Sequence, residues 1–462
     1  MSGYNKPSSS DLDGLRRVLG PQDVSTDRYD LLTNAFDAYP GELHLPDVVV
    51  WPETAEEVSL VLRLANEKRI PVYVRGAGTG LAGACVPVYG GIVINTMKMN
   101  RILDVRPLDL QVDVQPGVIY DQLNAHLAPY GLFFPPDPGS SKSCTIGGMI
   151  ANNASGLRAV RYGVTRDYVL SMELVLPSGE LLRVGANVFK SSVGYDVVRL
   201  IVGSEGTLGV ITNATLRLRK LPRHRSTVAA YFDSIEGGVS VINAIRQEGL
   251  DPAAIEFLDR IHIELISKHS NVLLPTHECM LILEFHGYSA NGVADEVKTA
   301  AEILKESGSV QIELPKSSQE EQRIWDARKA MYPSVTRATK APITGDIIVP
   351  LSKLYDTVQK AYDLGKRYGV VVGVAGHLGD GNVHTNWFTE GRDTDSWLRA
   401  MKANSELVDY AISVGGAASA EHGIGIEKKD FMRTQHGEGL ELMRRIKALF
   451  DPEGILNPGV MI

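Results

Sequence analysis

Gly78-Thr-Gly-Leu-Ala-Gly83 constrains the fold of this chain more than any other segment, because of the elements on either side of it. A short apolar strand is expected at 47–50, a helix from Thr54 to Lys68, and a second strand at 71–74. Thr54 and Glu57 read as a capping box. Val58, Val61, Leu62 and Ala65 recur at helical spacing. The order is β-α-β, and the glycines then satisfy G-x-G-x-x-G. In a nicotinamide-dinucleotide fold a helix opens at that point. Here Pro87 and Gly90-Gly91 come next, and then a strand at 92–95, which leaves no room for a helix. The sequence argues against that fold. Successive glycine amides can still form a nest that binds a pyrophosphate.

Two further blocks of small residues come later. One runs from Pro135 to Gly156, with Arg161-Tyr-Gly163 behind it, and the other is Gly203-Ser-Glu-Gly-Thr-Leu-Gly209. The chain holds 45 glycines in 462 residues, above the usual ~7%. Their clustering suggests backbone that closely approaches a ligand. At 462 residues, two or three domains are expected. A formal charge of -8 disfavours nucleic acid or an anionic membrane surface as partner. Cys85, Cys144 and Cys279 show no paired spacing, so neither a disulfide framework nor an iron–sulfur cluster is expected. No apolar leader core occurs in residues 1–30 and no 18-residue apolar run elsewhere, so the expectation is a cytoplasmic protein without a membrane span.

Chemistry is concentrated in Ala375-Gly-His-Leu-Gly-Asp-Gly-Asn-Val-His-Thr-Asn386. Gly379-Asp-Gly-Asn382 is turn chemistry, and the apolar run at 370–374 and the segment 383–387 read as its two strands. With a loop at 379–382, Leu378 pairs with Val383 and His377 opposes His384, which brings two imidazoles onto one sheet face. Asn386 is in phase with His384. Glu421, in Ser419-Ala-Glu-His-Gly-Ile-Gly425, is the third ligand candidate, and His422 remains available as a base. Two imidazoles, one carboxylate and an open position make a catalytic ligand set. Zinc is expected first, with manganese and iron also compatible with the residue types.

Together these blocks resemble the flavin-binding domain of the vanillyl-alcohol-oxidase/PCMH-type FAD proteins. In detail they resemble the branch of FAD-dependent D-2-hydroxyacid dehydrogenases, which includes D-lactate dehydrogenases and the glycolate oxidase flavin subunit. The resemblance rests most on Gly376-His-Leu-Gly-Asp-Gly-Asn-Val-His384, Glu421-His-Gly-Ile-Gly425 and Gly203-Ser-Glu-Gly-Thr-Leu-Gly209, and runs on to Phe450-Asp-Pro-Glu-Gly-Ile-Leu-Asn-Pro-Gly459. It implies an α+β chain made of four parts: an N-terminal segment (1–46), a PCMH-type FAD domain (47–222), an α+β cap or substrate domain with an antiparallel sheet (223–412), and a C-terminal segment returning to the flavin and metal site (413–462).

The resemblance assigns FAD to Arg75, Gly76, Ala77, Gly78, Thr79, Gly80 and Gly83 in the first block. In the second it assigns Pro138, Gly139, Ser143, Cys144, Gly147, Gly148, Asn153, Ala154, Ser155, Gly156 and Gly163. Glu205, Gly206 and Ile211 are assigned in the third, and Asn457 near the C-terminus. Thr79 stands where many members of the wider superfamily carry a flavin-linking His, so non-covalent FAD is expected. Arg328, in Trp325-Asp-Ala-Arg328, matches the carboxylate-anchoring arginine; the local alternative is a surface helix cap. Tyr332, Asn386 and His422 complete the expected substrate site. The branch acting on 2-hydroxyglutarate carries a Thr and a Lys where this chain has Tyr332 and Thr344, so a monocarboxylate such as D-lactate or glycolate is favoured. The rival readings are a D-2-hydroxyglutarate dehydrogenase using another cation such as Lys329, an alkyl-glycerone-phosphate-synthase-like transferase, and a non-catalytic flavoprotein electron-transfer subunit. Electrons would go to an external acceptor: a quinone, an electron-transfer flavoprotein or an iron–sulfur partner, which could hold the protein at a membrane. A homodimer is compatible with the sequence.

Overall fold

The computed structural model describes residues 3–41 and 43–462. They divide into two compact units. The first takes the described residues up to Ser155, then Val164–Leu221 and Glu421–Ile462; the second takes Gly156–Gly163 and Pro222–Ala420. The chain therefore re-enters the first unit at Glu421, where the sequence suggested a boundary after 412. The short stretch Gly156–Gly163 leaves the first unit and returns to it.

The first unit opens with the expected β-α-β. Strands Val48–Val50, Ile92–Asn95 and Val72–Arg75 pair in parallel, with the short Val24–Ser25 antiparallel at the edge. These strands are mostly Val and Ile and almost wholly buried, as a sheet covered on both faces requires. The crossover helix Ala55–Lys68 starts at the Thr54/Glu57 capping box and buries Val58, Val61, Leu62 and Ala65. No helix forms between Arg75 and Ile92. A second, antiparallel sheet has the order Ile102–Arg106, Gln111–Val114, Val210–Arg217, Val169–Val175, Leu181–Gly185. The antiparallel sheet builds one apolar core and also lends Val175 and Val210 to the core around the parallel sheet.

The second unit is built on a seven-stranded antiparallel sheet. Its order is Gln311–Glu313, His224–Phe232, Cys279–Gly287, Ala254–Asp259, Val372–Gly376, Asn382–Trp387, Ile343–Ile348. One face of it packs apolar side chains against helices Arg260–His269 and Ser318–Ala338, around Leu258, Ile282, Trp325 and Met331. The α+β class and the antiparallel cap sheet expected from the sequence are thus borne out. Among the described residues, no helix is long and apolar enough to cross a membrane.

Candidate active site

Within the first unit the glycine blocks converge. A Cβ at Gly76 would overlap Thr145, the N-cap of helix Ile146–Asn152, so the first and second blocks touch. Ala82 O accepts hydrogen bonds from Ile426 N (2.9 Å) and Glu427 N (3.3 Å), which ties the C-terminal segment to the first loop. Glu205 is buried and its carboxylate accepts Ile424 N and Gly425 N at 2.6 and 2.7 Å. Burial raises its pKa, against the pull of those amides. Asn457 joins Val74 N, Ala84 O and Glu205 O. Glu205 and Asn457, both expected at the flavin, spend these polar groups on polypeptide.

The first loop has the chemistry of an anion cradle. Among the described residues, no amide N–H from 77 to 82 donates a hydrogen bond. Gly78 has φ 67°, and a Cβ there would overlap the Arg75 guanidinium, which favours glycine. Gly139 has open space where a side chain would stand. Unpaired amides, small residues and a cation beneath the loop fit a flavin dinucleotide's pyrophosphate. Asp37 lies behind Gly80, and burial pushes its carboxyl up to about 6. Asn153 is left-handed and accepts Arg166 N, Cys144 is buried, and Ile211 packs into the apolar core. Gly156 and Gly163 bound the segment that joins the second unit.

The expected hairpin forms in a different register. Strand Val372–Gly376 pairs with Asn382–Trp387, and His384 lies opposite Ala375, not His377. Leu378 does not pair with Val383. Leu378–Asp380 is a turn of 3-10 helix, with Gly381 N bonded to Leu378 O, and it takes up the residues that the longer strands would have used. Gly381, at φ 92°, meets Val349 O so closely that no side chain fits. Because the shift is by two residues, both histidines keep to one face. Their ring centroids are 5.2 Å apart, edge to face, and a nitrogen of each lies within 4.8 Å of one of the other. Both are buried.

Each histidine has a carboxylate beside it. The pairing of Phe257 with Gly376 sets Glu256 across from His377, whose Nδ1 is 2.7 Å from Glu256 Oε1. Asp346 pairs with His384 in the ladder and its Oδ1 lies 3.7 Å from His384 Nδ1. The bond to Glu256 fixes the tautomer and ring direction of His377, as carboxylates do behind most metal-binding histidines, whereas Asp346 at 3.7 Å is a charge beside His384 and not a hydrogen-bond partner of its Nδ1. The donor set therefore fits a divalent ion. Asn386 shares their face, and its Oδ1 finds no hydrogen-bond partner among the described residues.

Arg328 comes from helix Ser318–Ala338 and is no surface cap. It is 9% exposed, and its Nε donates to the other oxygen of Glu256 at 2.6 Å. Burial would raise the Glu256 carboxyl; the opposing charges and hydrogen bonds of His377 and Arg328 outweigh it and hold the group below the ordinary carboxylate range. Tyr332, one turn on, is 37% exposed. Thr344 pairs with Asn386 and so looks to the same face. Glu421 and His422 belong to the first unit, where Glu421 Oε2 accepts Ser155 Oγ at 3.1 Å and Glu421 O accepts Asn152 Nδ2. The residue before Glu421, Ala420, donates its N–H to Asp346 Oδ2 at 3.0 Å, and Ser419 Oγ does so at 2.7 Å.

Sequence reading missed Glu256, Asp346 and Glu284. Each is an acid buried within a strand, and a buried carboxylate must find a partner. That signal was available for Glu256 in Ala253-Ala-Ile-Glu-Phe-Leu258.

A glycine loop with the chemistry of an anion cradle and a buried histidine pair in an α+β chain fit a flavin-dependent enzyme. Comparison with known proteins places it further. Residues 46–185 match the family described as FAD binding domain, and residues 221–461 the one described as FAD linked oxidases, C-terminal domain. The glycolate oxidase subunit GlcD of Bacillus subtilis (strain 168) is 36% identical over 449 residues, which span 97% of this chain and 95% of that protein. The D-lactate dehydrogenase of Archaeoglobus fulgidus is 37% identical over 418 residues, 90% of this chain and 91% of its own. The solved structure of p-cresol methylhydroxylase with substrate bound superposes with TM-score 0.82 at 17% identity, covering 99% of this chain and 97% of that one, which shows the PCMH-type fold. Alkyldihydroxyacetonephosphate synthase is likewise similar in fold alone, with TM-score 0.77 at 20% identity over 99% of this chain and 87% of its own. The chain belongs to the FAD-linked oxidase family. It is an FAD-linked oxidoreductase.

Proposed function

We propose that the protein oxidises a D-2-hydroxy acid of the D-lactate or glycolate class to the 2-oxo acid and passes the electrons to an external acceptor. The observation that carries this reading is the single carboxylate, Glu256, that holds both His377 and Arg328 on one buried sheet face. The two relatives named for glycolate and D-lactate support the substrate class.

In this reading His377 and His384, with Glu421 as third ligand, hold a divalent ion, zinc first. The residues of the first glycine loop hold the FAD pyrophosphate. Bound there, the cation supplies the Lewis acidity that lowers a hydroxyl pKa, and FAD supplies a hydride acceptor at N5. Arg328 binds the substrate carboxylate through its remaining N–H groups, since a planar guanidinium matches a planar carboxylate. His422 accepts the hydroxyl proton on its imidazole. Asn386 and Tyr332 line the substrate. Thr344 offers a hydroxyl and no cation on that face, which favours a substrate with one carboxylate.

An anaerobic screen of D- and L-2-hydroxy acids tests the proposal. D-lactate or glycolate should bleach the flavin. Bleaching by 2-hydroxyglutarate alone would favour a dicarboxylate dehydrogenase, and no bleaching by any hydroxy acid would overturn the reading.

A further inference from the structure

Glu256 sits in strand Ala254–Asp259 and is fully buried, 0% exposed. Its two oxygens face two donors from different parts of the unit. Oε1 is 2.7 Å from Nδ1 of His377, 121 residues away, and Oε2 is 2.6 Å from Nε of Arg328, 72 residues away. An ionised carboxylate only accepts, so His377 carries a proton on Nδ1, and in the neutral ring the ligating lone pair is then on Nε2. Arg328 is bound to Glu256 through Nε, which fixes the plane of the guanidinium and leaves the N–H groups of its far edge for another acceptor.

We propose that Glu256 is a positioning residue that couples two functions: it fixes the tautomer of a metal-binding histidine and the direction of the carboxylate-binding arginine through one shared group. This rests on the proposed function above, in which His377 binds the metal and Arg328 the substrate.

The chemistry of the position is restrictive. Glutamine has the same shape but one acceptor oxygen, and its NH2 would meet either Nε–H of Arg328 or Nδ1–H of His377, donor against donor. One of the two contacts must break, or His377 must move its proton to Nε2 and lose the lone pair turned outward. The contact that survives in E256Q also loses its charge assistance, so the loss should reach metal and substrate together, although Glu256 touches neither.

The test is carried out on the full-length protein with bound FAD. Zinc alone is titrated by equilibrium dialysis against chelator-buffered Zn²⁺, and steady-state kinetics are measured with the hydroxy acid that bleaches the wild-type flavin. In E256Q, zinc affinity should fall roughly 10–100-fold, the usual effect of removing an outer partner of a metal ligand. KM should rise at least about tenfold, more than kcat falls, because carboxylate anchoring is made in the ground state as well. Flavin content should stay at wild-type level. A purely structural role would lower stability and leave zinc affinity in the folded protein intact, and that result would overturn the proposal. If E256Q does not fold, the paired change Glu256→Met with Arg328→Met removes the buried ion pair without stranding a charge; it should fold, keep FAD and show the same zinc defect, and wild-type zinc affinity in that variant would overturn the proposal. Wild-type protein that binds no zinc would overturn the reading beneath it instead.

Discussion

The rings of His377 and His384 meet edge to face, with planes 84° apart and centroids at 5.2 Å, across the end of a two-stranded ladder. Each has a carboxylate at or near Nδ1, Glu256 at 2.7 Å and Asp346 at 3.7 Å. Two imidazoles this close, with carboxylates beside them, fit the divalent ion proposed above.

Replacing one of them should empty the site. In His377→Ala, zinc content measured after dialysis should fall sharply together with the turnover rate, while FAD, held by the other unit, stays bound. Full metal with full turnover would remove His377 from the ligand set.

FAD should be non-covalent. The first glycine loop offers Thr79 where a histidyl link would need an imidazole. After acid precipitation and centrifugation the yellow colour should be in the supernatant. Colour in the washed pellet would contradict this.

Arg328→Lys should not restore anchoring. Lysine is a point charge without a planar fork, and it cannot keep the 2.6 Å bond to Glu256 while facing a carboxylate in the same geometry. The loss in kcat/KM should be on the order of 2–4 kcal/mol. A loss within about threefold would take Arg328 out of the substrate site.

Acid should weaken the second unit through Glu284. Its carboxylate meets Arg158 Nε at 2.8 Å and His286 Nε2 at 3.2 Å, and Tyr162 OH is 2.9 Å from His286 Nδ1. Burial alone would raise its pKa; the hydrogen bond from His286 and the charge and hydrogen bond of Arg158 outweigh this and hold it at about 2. A depressed carboxyl stabilises the fold above its unfolded value of 4.5, and that contribution is lost as pH falls from there through about 2. Glu284→Gln should cost roughly 3 kcal/mol at pH 7, because Arg158 loses its counter-charge, and the variant should show a flatter acid limb. Urea melts at pH 7 and pH 3 check both. A cost under about 0.5 kcal/mol at pH 7 would show the pair to be energetically neutral.

The sequence by itself determined the elements whose causes are local. Thr54 and Glu57 start the helix Ala55–Lys68; Pro87 and Gly90-Gly91 forbid a helix after the glycine loop; Gly379 to Asn382 compel a turn between two strands. These depend on residues a few positions apart, so their signals survive in one dimension. The face on which His377, His384 and Asn386 lie was legible for the same reason, since strand alternation has a period of two. Only the tertiary structure decided the register. A slip by two residues preserves every face, so nothing in the hairpin distinguishes His377 opposite His384 from Ala375 opposite it. The choice is made by the neighbours: Ala254–Asp259 pairs with the other edge of Val372–Gly376, and Ile343–Ile348 with the other edge of Asn382–Trp387. The same holds for Glu256, whose partners lie 72 and 121 residues along the chain. A buried carboxylate announces in the sequence that it needs donors, but which ones it meets is fixed by strand order and by the helix that covers the sheet.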